Sequence, residues 1–279
     1  MTLATLSDVL RPALKGGHAV AGLVTLGWED MRAYVAAAEA EGAPVILQAG
    51  PSCRKHTPLP ILGGMFRHLA ENASVPVVAH LDHGYTMDEC REALDSGFTS
   101  LMFDGSRLPL DRNIDETAAI AEMARSAGIS CEGEIGFVGY SGGEASAGTD
   151  PDEAARFARE TRVDAMAISV GNVHLQQDRE GGLDEARIRA IEAATDVPLV
   201  IHGGSGVPEA QRRALASGSS ICKFNIGTEL RMAWGAALRD AVARDADRFD
   251  RVAILSETEE PVTRAARRVI RTMWKPDGE

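Results

Sequence analysis

Short apolar segments that alternate with helical segments are the feature that most constrains the fold of this chain. Each apolar segment is followed by a stretch rich in Ala, Glu and Arg that is typical of a helix. The alternation predicts parallel strands joined by helices, and eight strands are the number that closes a (β/α) barrel. The eight segments span residues 19–25, 44–50, 76–84, 100–106, 130–136, 165–171, 198–204 and 221–228.

The stretches between these segments carry ordinary helix signals, and nothing divides the chain. Thr86, three residues before Glu89, predicts a capping box, and Pro151 suits the first turn of a helix. No linker, low-complexity segment or charge block interrupts the 279 residues, so we predict a single domain over residues 1–279, a (β/α)8 TIM barrel. A doubly wound open sheet is the alternative. It would more naturally carry a G-x-G-x-x-G turn after its first strand, which this sequence lacks.

Charge and composition argue against two kinds of partner. The formal net charge of −12 and the pI of about 5.1 oppose a nucleic-acid binder, which needs clustered Lys and Arg. No apolar stretch reaches the roughly 18 residues of a membrane span, and the N-terminus lacks the basic start and apolar run of a secretory signal. The four cysteines lie far apart without a C-x-x-C pair, as is typical of reduced thiols. We therefore expect a cytoplasmic protein with no nucleic-acid or membrane partner.

Histidines stand at the ends of three of the predicted strands. In a barrel of this type the active site lies at the C-terminal ends of the strands. The third segment ends with His83, the sixth leads into His174, and the seventh ends near His202. Any one of them alone is more often a structural histidine, but three on one rim suit a divalent transition metal, above all zinc, with a position left open for a substrate.

The third segment offers a second histidine. Residues alternate between the two faces of a strand, so His80 and Asp82 face one side while residue 83 faces the other. We assign His83 as the ligand and His80 to the barrel interior or to the support of the ligands. Asp104 and Glu134, at the ends of the fourth and fifth segments, are expected to support the ligands or to hold a second metal ion.

Glycine-rich turns close the last two segments. The stretches "HGGSG" (202–206) and "NIGTE" (225–229) allow backbone N–H groups to approach an anion, and the hydroxyls of Ser205 and Thr228 add donors. Barrel enzymes often bind a phosphate after the seventh and eighth strands. These turns predict a phosphate site next to the histidines.

The segments "HLDHG", "LMFDGS", "EGEIG", "LVIHGGSG" and "CKFNIGTELR" are similar, in this order and over nearly the whole chain, to the class II (zinc-dependent) ketose-bisphosphate aldolases. The resemblance is strongest to the tagatose-bisphosphate branch and extends to fructose-bisphosphate aldolases. It implies a lyase, usually a homodimer or homotetramer, that reversibly cleaves a ketose 1-phosphate or 1,6-bisphosphate into dihydroxyacetone phosphate and an aldehyde.

The same resemblance implies roles for individual residues. Asp82 moves the proton of the hydroxyl at the cleaved bond, and Glu144, in the loop after the fifth strand, exchanges a proton with the enediolate that cleavage leaves. The cofactors are Zn²⁺ and, beside it, a monovalent cation. The zinc ligands are His83, His174 and His202, and the triose phosphate is held by Gly203, Ser205, Asn225 and Thr228.

Two residues depart from the family pattern after the sixth strand. Asn172 and Leu175 stand where the pattern "GT-x-HG" has Thr and Gly, which bears on the phosphate and monovalent-cation contacts. A second substrate phosphate would need a cation that faces the site. Arg54 and Lys55, after the second strand, are candidates for this role. The alternative is that they are ordinary solvated surface residues.

Other functions remain open at this point. They are a metal-assisted hydrolysis or isomerisation of a phosphorylated compound, a catalytically silent binding protein, and a Schiff-base aldolase that uses Lys223, whose strand position more often serves packing or an interior ion pair. Asp82 favours catalysis, because a binding protein needs no acid or base.

Overall fold

The eight apolar segments form the eight strands of a closed parallel barrel in the computed structural model, which describes residues 2–177, 182–245 and 247–274. A two-residue strand, β1, precedes them and pairs with β4. The strands are β1 (Leu3–Ala4), β2 (Val20–Val24), β3 (Val45–Ala49), β4 (Val77–Gly84), β5 (Ser100–Phe103), β6 (Ser130–Ile135), β7 (Ala165–Ile168), β8 (Leu199–Ile201) and β9 (Ile221–Ile226).

Closure of the barrel distinguishes the two predicted architectures. Neighbouring strands pair in the order β4-β3-β2-β9-β8-β7-β6-β5, and β4 also pairs with β5, with His80 opposite Ser100 and Leu81 opposite Leu101. The sheet therefore has no free edge among these eight strands. The (β/α)8 prediction is confirmed, and the open-sheet alternative is wrong.

Helices surround the barrel, as the alternation predicts. They are α1 (Leu6–Gly16), α2 (Trp28–Glu41), α3 (Pro51–His56), α4 (Leu59–Asn72), α5 (Met87–Asp95), α6 (Leu110–Ser126), α7 (Pro151–Thr161), α8 (Glu185–Ala194), α9 (Glu209–Gly218), α10 (Thr228–Arg244) and α11 (Arg251–Trp274). Pro151 is the first residue of α7, as predicted. Thr86 caps α5 by accepting from the backbone of Glu89, whose own side chain bonds elsewhere, so only half of the predicted capping box forms.

The predicted strands end earlier than the apolar segments do. The segment 100–106 leaves the sheet after Phe103, and the segments 165–171 and 198–204 leave it after Ile168 and Ile201. The residues beyond these points turn into loops at the same end of the barrel. This end carries the chemically active side chains.

The opposite end of the barrel is closed by α1. The buried side chains of α1 form one apolar cluster with residues near the beginnings of the strands, such as Val20. These α1 residues are Leu6, Val9, Leu10 and Ala13. The larger cluster lies between the strands and the surrounding helices. Burial on both faces explains why the strands read as continuous apolar runs.

The C-terminal helix α11 packs on α2 and α10. Glu41 at the end of α2 accepts hydrogen bonds from Arg267 and Arg271 of α11 at 2.8 to 3.0 Å. The tail of the sequence thus packs on the barrel's own outer layer. Across the described ranges, no helix has both the length and the apolar character that crossing a membrane requires.

Candidate active site

Three histidines from three strand ends meet in one cleft. His83 closes β4, His174 lies in the loop after β7, and His202 follows β8. One ring nitrogen of each lies within 4.8 Å of those of the other two. The ring centroids are 4.7 to 5.7 Å apart. The structure therefore brings together the three side chains that the sequence suggested as metal ligands.

Asp104 and Glu134 contact two of these histidines. Asp104 Oδ2 lies 2.8 Å from His83 Nδ1, and its other oxygen accepts hydrogen bonds from Ser106. Glu134 Oε2 lies 3.3 Å from His202 Nδ1 and 3.7 Å from His83 Nδ1. With His83, the two carboxylates form a second group of potential metal ligands.

The charges and free atoms of this cluster fit a bound cation. Burial, together with His83 and His202, lowers the pKa of His174 to about 3, so its imidazole is neutral, as a ligand must be. Burial opposes a positive charge on His202, but Glu134 and Glu132 outweigh it and raise its pKa to about 10, so these two carboxylates favour a positive charge at this position. His202 Nδ1 and Glu134 Oε2 are buried and make no hydrogen bond. An ion bound between these atoms would satisfy both of them.

The backbone of His83 turns its side chain into the cleft. Its φ is 54°, in the left-handed region, so Asp82 and His83 both point into the cleft although they are consecutive. Arg54 of α3 donates to the carbonyl oxygens of Asp82 at 2.6 Å and His83 at 2.9 Å, and to the Glu89 carboxylate at 2.8 Å. The side chain of Arg54 is only 7% exposed. Both interpretations of Arg54 from the sequence, phosphate ligand and surface residue, are therefore wrong, whereas Lys55 is exposed.

The Asp82 carboxylate is held by two amides. Gln48 donates to Oδ1 at 2.9 Å and Asn225 donates to the same oxygen at 3.2 Å. A side chain at Gly22 would overlap the Gln48 amide, so the glycine makes room for this contact. Burial disfavours the charge of Asp82, but the nearby cations, first His83, lower its pKa below the usual value. Asp82 is therefore an ionised, oriented base.

A fully buried ion pair lies beneath the histidines. Lys223 Nζ is 2.6 Å from Glu132 Oε2 and 3.3 Å from His80 Nε2, and the other Glu132 oxygen is 3.1 Å from His202 Nε2. His80 also contacts Ser100 at 2.8 Å, and burial together with Lys223 lowers the pKa of His80 to about 3. His80 thus lies in the interior and Lys223 is an interior ion pair, which leaves no role for Lys223 as an open Schiff-base amine.

The glycine-rich turns line the same cleft. Gly203 has φ 65°, and a side chain there would overlap the carbonyl of Val173. Ser205 Oγ accepts from the backbone N–H groups of Gly227 and Glu229 at 3.3 Å each, which ties this turn to the start of α10. The four residues named for the phosphate all line the cleft: Gly203, Ser205, Asn225 and Thr228. Asn225 differs from the others because its amide already bonds to Asp82.

The loop after β6 contacts His174 but keeps Glu144 outside. Tyr140 stacks on the His174 ring at 4.8 Å between centroids, and Ser141 donates its N–H to the His174 carbonyl at 2.9 Å. Glu144 is exposed, forms an ion pair with Arg107 at 2.8 Å and does not line the cleft. The structure therefore does not bring Glu144 together with Asp82.

The cleft has a volume of about 420 Å³. A larger cleft of about 720 Å³ lies at the other end of the barrel, between α1, α7 and α8. It contains none of the histidines or glycine-rich turns, so we place the candidate active site in the smaller one.

Comparison with known proteins identifies the family. The sequence profile of the family "Fructose-bisphosphate aldolase class-II" matches residues 4–277. The chain belongs to this family. It is therefore a lyase, of a family that cleaves phosphorylated sugars by aldol chemistry.

Named relatives of this class II aldolase differ in substrate. The chain is 35% identical over 260 residues to the fructose-bisphosphate aldolase of Geobacillus stearothermophilus, covering 90% of this chain and 89% of the relative. It is 36% identical over 266 residues to the 6-phospho-5-dehydro-2-deoxy-D-gluconate aldolase of Shouchella clausii, covering 92% and 89%. The crystal structure of the YdjI aldolase from Escherichia coli K12 superposes with a TM-score of 0.83, at 30% identity and 97% coverage of both chains.

Asn172, which departs from the family pattern, has a structural role in this aldolase. Its Oδ1 accepts from the backbone of Val170 at 2.8 Å, and its Nδ2 donates to the carbonyls of His202 at 3.0 Å and Ile168 at 3.2 Å. The amide therefore fixes the loop that carries His174 against the strand end that carries His202. Leu175, the second departure, has φ 59° and lines the cleft.

Sequence reasoning missed two residues of the aldolase's site. Gln48 orients Asp82, and a lone amide within the apolar run "VILQA" was the available signal. Tyr140 covers His174, and nothing in its loop sequence distinguished it.

Proposed function

We propose that this class II aldolase is zinc-dependent and cleaves a ketose 1-phosphate or 1,6-bisphosphate reversibly into dihydroxyacetone phosphate and an aldehyde. One observation carries the proposal. Three histidine side chains with converging nitrogens lie beside an ionised aspartate, and glycine-rich turns line the same cleft.

In this proposal zinc is held by His83, His174 and His202, with Asp104 and Glu134 supporting the ligands or holding a second metal ion. When bound, a divalent ion supplies Lewis-acid stabilisation of the charge that develops on the ketose oxygens during cleavage. Glu132 accepts from the ring of His202, which fixes the direction of its other nitrogen.

Asp82 is the proposed base for the hydroxyl at the cleaved bond. Its Oδ1 is occupied by the amides of Gln48 and Asn225. Oδ2 has no hydrogen-bond partner among residues 2–177, 182–245 and 247–274, and lies beside Gly50, where a side chain would come within 3.2 Å. A fixed carboxylate with one free oxygen can take the hydroxyl proton during cleavage and can give a proton to the aldehyde oxygen when the bond forms in the reverse direction.

The remaining roles follow the same scheme. Gly203, Ser205 and Thr228 hold the triose phosphate with backbone N–H groups and hydroxyls, and Asn225 contacts it beside Asp82. Glu144 exchanges the proton of the enediolate after its loop moves, a movement that breaks its ion pair with Arg107. A monovalent cation near the phosphate stays a prediction.

We further propose that residues 1–279 act as one barrel domain within a cytoplasmic homodimer or homotetramer. Four buried cysteines without disulfides support a reducing compartment. Phe249, between α10 and α11, and Val252, in the first turn of α11, are 93% and 77% exposed and support a surface for a second copy. The mass in solution, measured by light scattering, tests the oligomer.

Metal content tests the ligand set. We expect about one zinc per chain in the purified protein, and His83→Ala, His174→Ala and His202→Ala variants that each lose most of it. His56→Ala, at an exposed histidine outside the cleft, is the control and should keep the metal. Full zinc content in all three cleft variants would rule out the ligand set.

A further inference from the structure

A chain of polar side chains crosses the barrel interior beneath the three histidines. Lys223 on β9 contacts Glu132 on β6 at 2.6 Å and His80 on β4 at 3.3 Å, and no two of these strands are neighbours in the barrel. All three side chains are completely buried. Because burying two charges costs their hydration, an ion pair here stabilises the fold little more than apolar side chains of similar size would. Stability alone therefore does not account for the lysine.

The lysine determines how its neighbours can hydrogen bond. An ammonium group only donates, so Glu132 Oε2 and His80 Nε2 both accept from Lys223. His80 therefore carries its own proton on Nδ1 and donates it to Ser100 Oγ, 2.8 Å away. At the other end of the chain, Glu132 Oε1 stays an acceptor and lies 3.1 Å from His202 Nε2.

His202 connects this chain to the cleft. Because its Nε2–H is donated to Glu132, its other nitrogen, Nδ1, is the one that can offer a lone pair. Nδ1 lies 3.3 Å from Glu134 Oε2 and makes no hydrogen bond to any described residue. Two lone pairs facing each other at this distance leave a place for a cation between them.

We propose that Lys223 is a positioning residue for the metal centre. By donating to Oε2 of Glu132, it leaves Oε1 to accept from His202, and this contact keeps the lone pair of His202 on Nδ1, where a zinc ion can bind. The inference rests on the proposed function, because it takes His202 as a zinc ligand. Replacing a group that orients a metal ligand typically weakens metal binding about 10- to 100-fold.

Glu132→Gln makes the influence of the lysine measurable. The amide that replaces the carboxylate has one oxygen, and Lys223 takes it because an ammonium group cannot accept a hydrogen bond. The NH₂ group then faces Nε2 of His202, which has to accept, and the ring proton moves to Nδ1. We therefore expect Glu132→Gln to bind zinc about 10- to 100-fold more weakly than the wild type.

Removing the lysine from that variant should restore zinc binding in part. In the double variant Lys223→Met, Glu132→Gln, the amide can turn its oxygen to His202 and its NH₂ group towards His80 Nε2, which lies 3.7 Å from Glu132 Oε2. We expect it to bind zinc about tenfold more tightly than Glu132→Gln alone. A second substitution that only disturbed the structure would weaken binding further. The double variant buries no unpaired charge, whereas Lys223→Met alone leaves a buried carboxylate unpaired and can fail to fold.

Two measurements report the outcome. Competition with a chelator gives the zinc affinity, and nuclear magnetic resonance of nitrogen-labelled histidine gives the tautomer. The Nε2–H signal of His202, assigned by its loss in His202→Ala, should be present in the wild type and in the double variant and absent in Glu132→Gln.

Ser100→Ala in the Glu132→Gln background is the matched control. It changes the opposite end of the same buried chain, where Ser100 Oγ contacts His80. Because it leaves Lys223 in place, it should restore neither zinc binding nor the His202 signal.

The outcomes separate this inference from the proposed function. If the double variant binds zinc no more tightly than Glu132→Gln, or if the serine control recovers as much, Lys223 does not orient Glu132 and the inference is overturned, while the ligand set stands as long as His202→Ala loses zinc. Full zinc content in His202→Ala would overturn the ligand set and the inference with it.

Discussion

Asp82 and His83 are consecutive residues, and in a regular strand their side chains would point to opposite faces. Both enter the cleft because the backbone at His83 is left-handed and Arg54 holds the two carbonyl groups. The sequence therefore pointed to the right two residues, but the alternation of side chains along a strand could not explain why both enter the same cleft. Their joint position depends on hydrogen bonds from Arg54, which precedes Asp82 by 28 residues and His83 by 29.

The first prediction at the residue scale concerns Asp82. Asp82→Asn keeps the shape of the side chain and removes the base, so kcat should fall on the order of 10²-fold or more. Zinc content should stay at the wild-type level, because Asp82 is not proposed as a ligand. Near-normal turnover on a substrate that the wild type cleaves would refute its role.

At the scale of elements, the strands could be predicted from the sequence, whereas the role of the short helix α3 could not. Continuous runs of Val, Ile and Leu mark strands buried on both faces, so the barrel follows from local sequence. The role of α3 depends on tertiary partners, since its Arg54 reaches carbonyl groups of β3 and β4. The position of Glu144 could not be predicted for a similar reason, because it depends on an ion pair with Arg107 of a different loop.

The prediction at this scale concerns Arg54. Arg54→Met should leave buried carbonyl oxygens unsatisfied and lower the free energy of unfolding by about 2 kcal/mol. Because the turn at His83 loses its support, zinc should also bind more weakly. Urea unfolding and zinc titration measure the two effects.

Lys55→Met provides the control on the same helix, where the side chain is exposed. It should match the wild type in both measurements. Equal behaviour of the two variants would mean that Arg54 does not hold the strand end.

At the scale of the whole molecule, the last helix fastens the outer layer of the barrel. The Glu41 side chain is 4% exposed and binds Arg267 and Arg271 across the contact between α2 and α11. The hydrogen bond from Arg271, against the cost of burial, lowers the pKa of Glu41. A lowered folded-state pKa contributes stability above the unfolded-state value of about 4.3, and this contribution is lost as the pH falls through the folded-state pKa.

Glu41→Gln should therefore reduce the free energy of unfolding by about 1 kcal/mol at neutral pH. The gap between the variant and the wild type should be constant from about pH 6 to pH 8 and should narrow below about pH 4. Glu260→Gln removes a largely exposed partner of Arg264 and should have little effect at any pH. Denaturant unfolding across this pH range checks both variants. If the difference in free energy of unfolding between Glu41→Gln and the wild type widens in acid, the predicted direction of the pH dependence is wrong.

The central claim is that the three histidines and Asp82 make a metal-dependent aldolase, and release of dihydroxyacetone phosphate tests it most directly. A panel of ketose 1-phosphates and 1,6-bisphosphates is offered to the purified enzyme before chelation, after chelation, and after zinc is restored. We predict that at least one ketose yields dihydroxyacetone phosphate, that chelation abolishes the release, and that zinc restores it. Release that persists undiminished after the metal has been removed, or no release from any ketose with zinc bound, would contradict the account.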